Sequence, residues 1–147
     1  MTPLVSKKTI LIVDDEPLIL ETMGMMLELD GHTVEVASDG EAALKKLAIR
    51  NFDIVFTDFT MPKMSGNLLA IAIKKKTPQQ IIVMVTGMAE CLATKDGEQT
   101  STDFTLSKPF LTEELRDIVQ KATLKQAAKD SEFICLRLGE TLVPLVK

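Results

Sequence analysis

The sequence predicts an α/β protein: a parallel sheet with helices on both faces. Three observations predict it. Short apolar runs rich in Val and Ile alternate with stretches of helical periodicity along the chain. The central runs are continuous rather than alternating, as strands buried on both faces require. Acidic or hydroxyl residues stand at the ends of several of these runs, where a parallel sheet gathers its ligands. With 147 residues, 46% of them hydrophobic and 26% charged, the chain fits one domain with a self-sufficient core.

The elements follow in order. Thr9–Val13 (TILIV) is a β-rich run that ends in two aspartates. Residues 17–29 have helical periodicity, with Pro17 in the first turn, where its missing N–H costs nothing. Gly31 closes that helix, and Thr33–Ala37 (TVEVA) alternates as a strand. Ser38-Asp39-Gly40-Glu41 has capping-box spacing and precedes a helix carrying Ala42, Ala43, Leu44 and Leu47 on one face. Ile54–Thr57 (IVFT) is a buried strand ending at Asp58. Ser65-Gly66 opens a helix with Leu68, Leu69, Ala72 and Ile73 inward. Its end, Lys74-Lys75-Lys76, is expected on a solvated face suited to the C-terminal dipole. Ile81–Val85 (IIVMV) is the most continuous apolar run and leads to Thr86-Gly87. A weak helix is expected over 89–95, then a polar stretch at 98–103. Phe104–Leu106 is a short strand running into Lys108-Pro109-Phe110. Thr112 is expected to cap a last helix, with Glu113 and Glu114 in its first turn and Leu115, Ile118, Val119 and Ala122 inward. Five strands and five helices in alternation imply the parallel, doubly covered sheet.

Composition narrows the function. The net charge is −4, and Tyr and Trp are absent, so neither a basic face nor an aromatic stacking platform for nucleic acid is expected. Cys91 and Cys135 lie far apart with no His near either, which is neither a zinc spacing nor a disulfide framework. Cys91 is expected to be a small buried residue. His32 reads as a turn residue after Gly31, and Met23, Met25 and Met26 as core filling. No apolar run approaches the length of a membrane span, and the expected location is the cytoplasm.

The strand ends carry the chemistry. In a parallel sheet all carboxyl ends share one edge, which here collects Asp14, Asp15 and Glu16, then Asp58, Thr86 and Lys108. Two like charges about 5 Å apart at an effective dielectric near 20 repel by about 3 kcal/mol, or about two pKa units. Clustered carboxylates therefore call for a cation, and oxygen donors select a hard one such as Mg2+. A lysine ammonium suits a phosphoryl oxygen, a threonine hydroxyl can donate to the same group, and an ionised aspartate can be the nucleophile. The constellation points to metal-assisted phosphoryl transfer onto a carboxylate.

Asp14-Asp15-Glu16-Pro17, Asp58-Phe59-Thr60-Met61-Pro62-Lys63-Met64-Ser65-Gly66, Thr86-Gly87 and Lys108-Pro109-Phe110 resemble, in order and spacing, the receiver domain of bacterial two-component response regulators. The resemblance covers roughly residues 8–125 and implies a three-layer, flavodoxin-like (βα)5 fold with strand order 2-1-3-4-5. It implies Asp58 as phosphoacceptor, with Lys108 and Thr86 completing the catalytic set. Mg2+ would be held by Asp15, Asp58 and the backbone carbonyl of Thr60, with Asp14 reaching it through water. Lys108 would pair with Asp58 and the phosphoryl group, and the Lys108–Pro109 bond would be cis. Thr86 and Thr105 would form the switch; Thr105 stands where the family often carries an aromatic, with Phe104 one residue earlier. The polar stretch after Gly97 predicts a short fourth helix and an altered output surface.

The partners implied are a histidine kinase or histidine phosphotransfer protein and a downstream protein or fused domain, with a homodimer as a further option. Nucleic acid and membrane are not expected partners, and the chain is expected to act as a signalling phosphoacceptor rather than an enzyme. Two enzyme-like rivals fit less well. A dehalogenase-like phosphatase wants two aspartates one residue apart and a cap. A flavin carrier wants a hydroxyl-rich phosphate loop where this chain has DDEPLIL. The alternative within the family is a degenerate receiver used only for protein docking. Residues 126–147 are too few for a domain and read either as an extension of the last helix or as a linker to a further domain.

Overall fold

The structure, a computed structural model, describes residues 7–87 and 102–137, with side chains through Lys129. The expected helix over 89–95, the polar stretch after it up to residue 101, and Cys91 lie outside the described residues. The strands are β1 (Thr9–Val13), β2 (Thr33–Ala37), β3 (Ile54–Asp58), β4 (Ile81–Thr86) and β5 (Phe104–Ser107). The described helices are α1 (Pro17–Leu29), α2 (Gly40–Ile49), α3 (Gly66–Lys76) and α4 (Thr112–Arg137). All strand pairs are parallel, in the order β2-β1-β3-β4-β5.

Alternating strand residues build two cores. Ile10, Ile12, Ile54, Phe56, Ile81, Val83 and Val85 face α1 and α4, meeting Met23, Leu27, Leu115 and Val119. Leu11, Val13, Val55 and Ile82 face α2 and α3, meeting Ala43, Leu69, Ala70 and Ile73. Burial on both sides explains why the interiors of β1, β3 and β4 are continuous apolar runs, while the edge strand β2 keeps the alternation of its sequence.

The helix ends are set locally. Gly31, with φ +93°, closes α1: its N–H donates to Glu28 O and that of His32 to Leu27 O, the paired bonds of a Schellman end. Ser65 caps α3 by accepting from the Leu68 N–H at 3.2 Å. Several expectations need correction. The cap of α2 is Asp39, which accepts from the Ala42 N–H at 2.8 Å, rather than Ser38. Thr112 is the first helical residue of α4; Glu114 reaches back to accept from the Leu111 N–H at 2.8 Å, so the cap bond comes from the first turn's carboxylate. Leu68 and Met25 are exposed, because the apolar faces of α3 and α1 run through Leu69–Ala70–Ile73 and Met23–Leu27 instead. His32 stands in the turn after Gly31 as expected; it is buried, its Nδ1 accepts from the Lys8 N–H at 3.0 Å, and burial lowers its pKa.

Candidate functional site

The site lies where the sheet changes direction. The chain leaves β1 into α1 on one face and leaves β3 into α3 on the other, which opens a crevice between the carboxyl ends of neighbouring strands. Into it project Asp14 and Asp15 from the end of β1 and Asp58 from the last position of β3. Each offers a carboxylate oxygen, and these oxygens lie within 4.8 Å of one another. Asp14 and Asp58 are buried and Asp15 is exposed. Lys108, just past β5, donates through Nζ to Asp58 Oδ1 at 3.1 Å and to Asp14 Oδ2 at 3.2 Å. Asp14 is itself oriented by the Glu16 N–H, which donates to Oδ1 at 2.9 Å.

Electrostatics follow from that packing. Burial pushes the Asp58 carboxyl up; Lys108 opposes the rise, and the neighbouring charges of Asp14 and Asp15 add to it. Burial works against the Lys108 ammonium, but its bonds to Asp58 and the charge of Asp14 outweigh it and its pKa is raised. One ammonium thus stands among three carboxylates, leaving an excess of negative charge in a half-closed crevice. The donors are all oxygen, which fits a hard divalent cation such as Mg2+.

Two further features hold Asp58 in place. Gly66 packs against the end of β3: a Cβ there would stand 2.1 Å from Asp58 O, so no side chain fits without moving the strand end. The Gly66 N–H donates to Phe59 O at 2.8 Å. Between them the loop turns sharply at Lys63, which has φ +69°, and the Met64 N–H donates to Pro62 O at 2.7 Å. The spacing of Gly66 after Asp58 was visible in the sequence, but its contact with the Asp58 carbonyl was not.

The remaining predicted residues are placed as follows. Thr86 ends β4, buried, and its carbonyl accepts from the Lys108 N–H at 2.7 Å. Thr60 lies exposed in the loop after β3. The Lys108–Pro109 peptide bond is cis. Thr105 is exposed in the middle of β5, whereas Phe104 packs against the opposite core, so Phe104 is not positioned to stand in for an aromatic at 105. Sequence reasoning missed Asp103, whose carboxylate gathers Lys74, Lys125 and Lys129, and it misjudged Lys74, which is half-buried rather than solvated.

Comparison with known proteins identifies relatives of the chain and of its fold. The chain is 34% identical over 129 residues to the alkaline phosphatase synthesis transcriptional regulatory protein PhoP of Bacillus subtilis, covering 86% of this chain and 53% of that protein. It is likewise 34% identical over 126 residues to the transcriptional regulatory protein ResD of the same organism, covering 84% and 51%. The chain therefore spans about half the length of these relatives. Among solved structures, the response regulator TrrA of Thermotoga maritima in complex with Mg(2+)-BeF superposes with a TM-score of 0.72 at 36% identity, covering 78% of this chain and 98% of that one. NtrX of Brucella abortus in complex with ADP gives a TM-score of 0.81 at 26% identity, covering 95% and 31%. Residues 10–120 match the family described as the response regulator receiver domain, and the chain belongs to that family of two-component signalling domains.

Proposed function

We propose that Asp58 accepts a phosphoryl group from a phosphohistidine of a histidine kinase or histidine phosphotransfer protein, and that its phosphorylation alters a surface read by a downstream protein or fused domain. The observation that carries this reading is the convergence of Asp14, Asp15 and Asp58 with Lys108 bonded to two of them. Of the three aspartates, Asp58 alone lies within a strand, at the last position of β3, where Gly66 packs against its backbone carbonyl; that fixed backbone favours it as the nucleophile. Lys108 keeps a positive charge beside the Asp58 oxygen, where charge develops on the entering phosphoryl group. Asp14 holds that ammonium in place. The Thr86 hydroxyl, at the adjacent strand end, donates to a phosphoryl oxygen and carries the change towards β5.

The site suits Mg2+ on its donor chemistry, with Asp15, Asp58 and the Thr60 carbonyl as ligands and Asp14 acting through water. Mg2+ neutralises the carboxylates and the incoming phosphoryl oxygens when bound. The complex of TrrA with Mg(2+)-BeF supports Mg2+ as the cation. The phosphodonor meets a suitable surface beside the site: Leu18, Met25 and Leu29 are 70%, 58% and 82% exposed and share one face of α1, which starts at the crevice rim. The cytoplasm is the compartment this partner implies. No described helix is long and apolar enough to cross a membrane.

The test is incubation with acetyl phosphate, with Mg2+ or with a chelator, followed by intact mass. One phosphoryl adduct that needs Mg2+ and is absent from Asp58→Asn is the expected result. Absence of any adduct from a protein that still binds Mg2+ by calorimetry would instead point to a receiver that depends on its kinase or to one kept only as a docking surface; no adduct with a phosphohistidine donor either would leave the docking module.

A further inference from the structure

The cluster around Asp103 lies at the opposite end of β5 from Lys108, and nothing in the phosphoacceptor reading uses it. The Asp103 side chain is only 6% exposed. Its backbone N–H donates to Ile82 O at 2.8 Å, and its Oδ2 accepts from the Ile82 N–H at 2.9 Å. Asp103 thus engages both backbone groups of one β4 residue and extends the ladder one step before the first paired residues, Val83 and Phe104. Three ammoniums lock the carboxylate: Lys74 of α3 at 2.9 Å, and Lys125 and Lys129 of α4 at 2.9 and 3.2 Å. These come from both helical layers. Lys125 also lies over the Phe104 ring, 5.4 Å from its centre.

β5 needs such an anchor. It is four residues long, sits at the sheet edge with one neighbour, and buries only Leu106 fully. A one-residue slip of a strand exchanges its faces, and a short edge strand with one buried residue resists slipping weakly. At its far end the Lys108 N–H bonds Thr86 O, and the Lys108 ammonium reaches Asp14 and Asp58.

We propose that Asp103 is a positioning residue for the phosphoacceptor site: by fixing β5 against Ile82, it sets where Lys108 stands against Asp14 and Asp58. The proposal rests on the roles given above to Asp58 and Lys108. The lysines hold Asp103, and Asp103 holds the strand.

The test uses the full chain carrying Asp103→Ala, Asp103→Asn, or Lys125→Gln with Lys129→Gln. Two quantities are read: the rate of Mg2+-dependent phosphorylation by acetyl phosphate, and the amide resonance of Lys108 in a 1H–15N spectrum. Asp103→Ala is expected to slow phosphorylation by about 10- to 100-fold, as displacement of a positioned group does, and to shift the Lys108 amide. Asp103→Asn keeps an acceptor for the Ile82 N–H and is expected to recover most of the rate. If the ion pairs alone mattered, Asn would be as slow as Ala and the double lysine variant would be slowed with them, which would overturn the proposal. A folded Asp103→Ala with the wild-type rate and an unmoved Lys108 amide would overturn it as well. Should Asp103→Ala fail to fold, Asp103→Ser takes its place, with a rate clearly below that of Asn expected and the wild-type rate contradicting the proposal. If the wild type takes no phosphoryl group from acetyl phosphate or from a phosphohistidine donor, the phosphoacceptor reading fails. The Lys108 amide then decides the positioning claim alone: shifted in Asp103→Ala it stands, unmoved it falls.

Discussion

Individual residues carry opposed demands in this domain. Asp58 is buried beside two other carboxylates, and its raised pKa means that folding penalises its charged form. Asp58→Asn is therefore expected to raise the melting temperature at pH 7 in a chelator. The gain should vanish as the pH falls to the ordinary carboxyl range, because the wild type then becomes neutral too. Added Mg2+ should stabilise the wild type more than the variant and narrow the gap. Asp103 has the opposite sign. Burial opposes its charge, but Lys74, the Ile82 N–H and Lys125 outweigh burial and hold its carboxyl at about 2, against 3.8 in the ordinary case. That difference contributes about 2 kcal/mol, fully present above the unfolded value and lost as the pH falls from about 4 to about 2. Acid titration should show this component in the wild type and not in Asp103→Asn. The two aspartates also differ in legibility. Asp58 ends an apolar run, so its place at the sheet edge follows from topology. Asp103 sits inside a polar stretch, and its partners come from helices distant in sequence, so no local pattern announces it.

At the level of elements, sheet and helices respond to different signals. The continuous runs of β1, β3 and β4 mark strands buried on both faces, so their positions were readable within a residue or so of the observed ends. Helical faces were less so. Periodicity alone left Leu68 and Met25 with the core, whereas neighbouring residues fill it, because the phase of a short helix is decided by the strand residues it meets. The cap of α2 illustrates the same point: Ser38 and Asp39 are both good caps, and the backbone geometry selects Asp39. Asp39→Ala should cost about 1 kcal/mol in denaturant unfolding, with little effect on the site. Gly66→Ala is a harsher change. Its Cβ would meet the Asp58 carbonyl, so a loss of about 3 kcal/mol or more is expected, together with weakened Mg2+ binding by calorimetry.

Across the whole molecule, the alternation of strands and helices was enough to place the carboxylates on one edge, and the strand order came from the resemblance to receiver domains. The lower border was harder to see. The expected boundary near residue 125 cuts through real contacts: Gln126 Nε2 donates to Asp53 Oδ1 at 3.2 Å, Lys8 Nζ to Gln126 Oε1 at 3.4 Å, and Lys129 to Asp103. These polar contacts have no apolar periodicity, which is why the sequence did not reveal them. A chain ending at residue 125 should melt a few degrees lower than one ending at 137, by about 1 kcal/mol, and the difference should shrink in high salt. The central claim is that one carboxylate of the three takes the phosphoryl group. It is tested most directly by treating the protein with acetyl phosphate and Mg2+, reducing the acyl phosphate with borohydride to homoserine, and sequencing the peptides by mass. The account predicts homoserine at Asp58 alone; homoserine at Asp14 or Asp15, or at Asp53 in the same tryptic peptide, would contradict it.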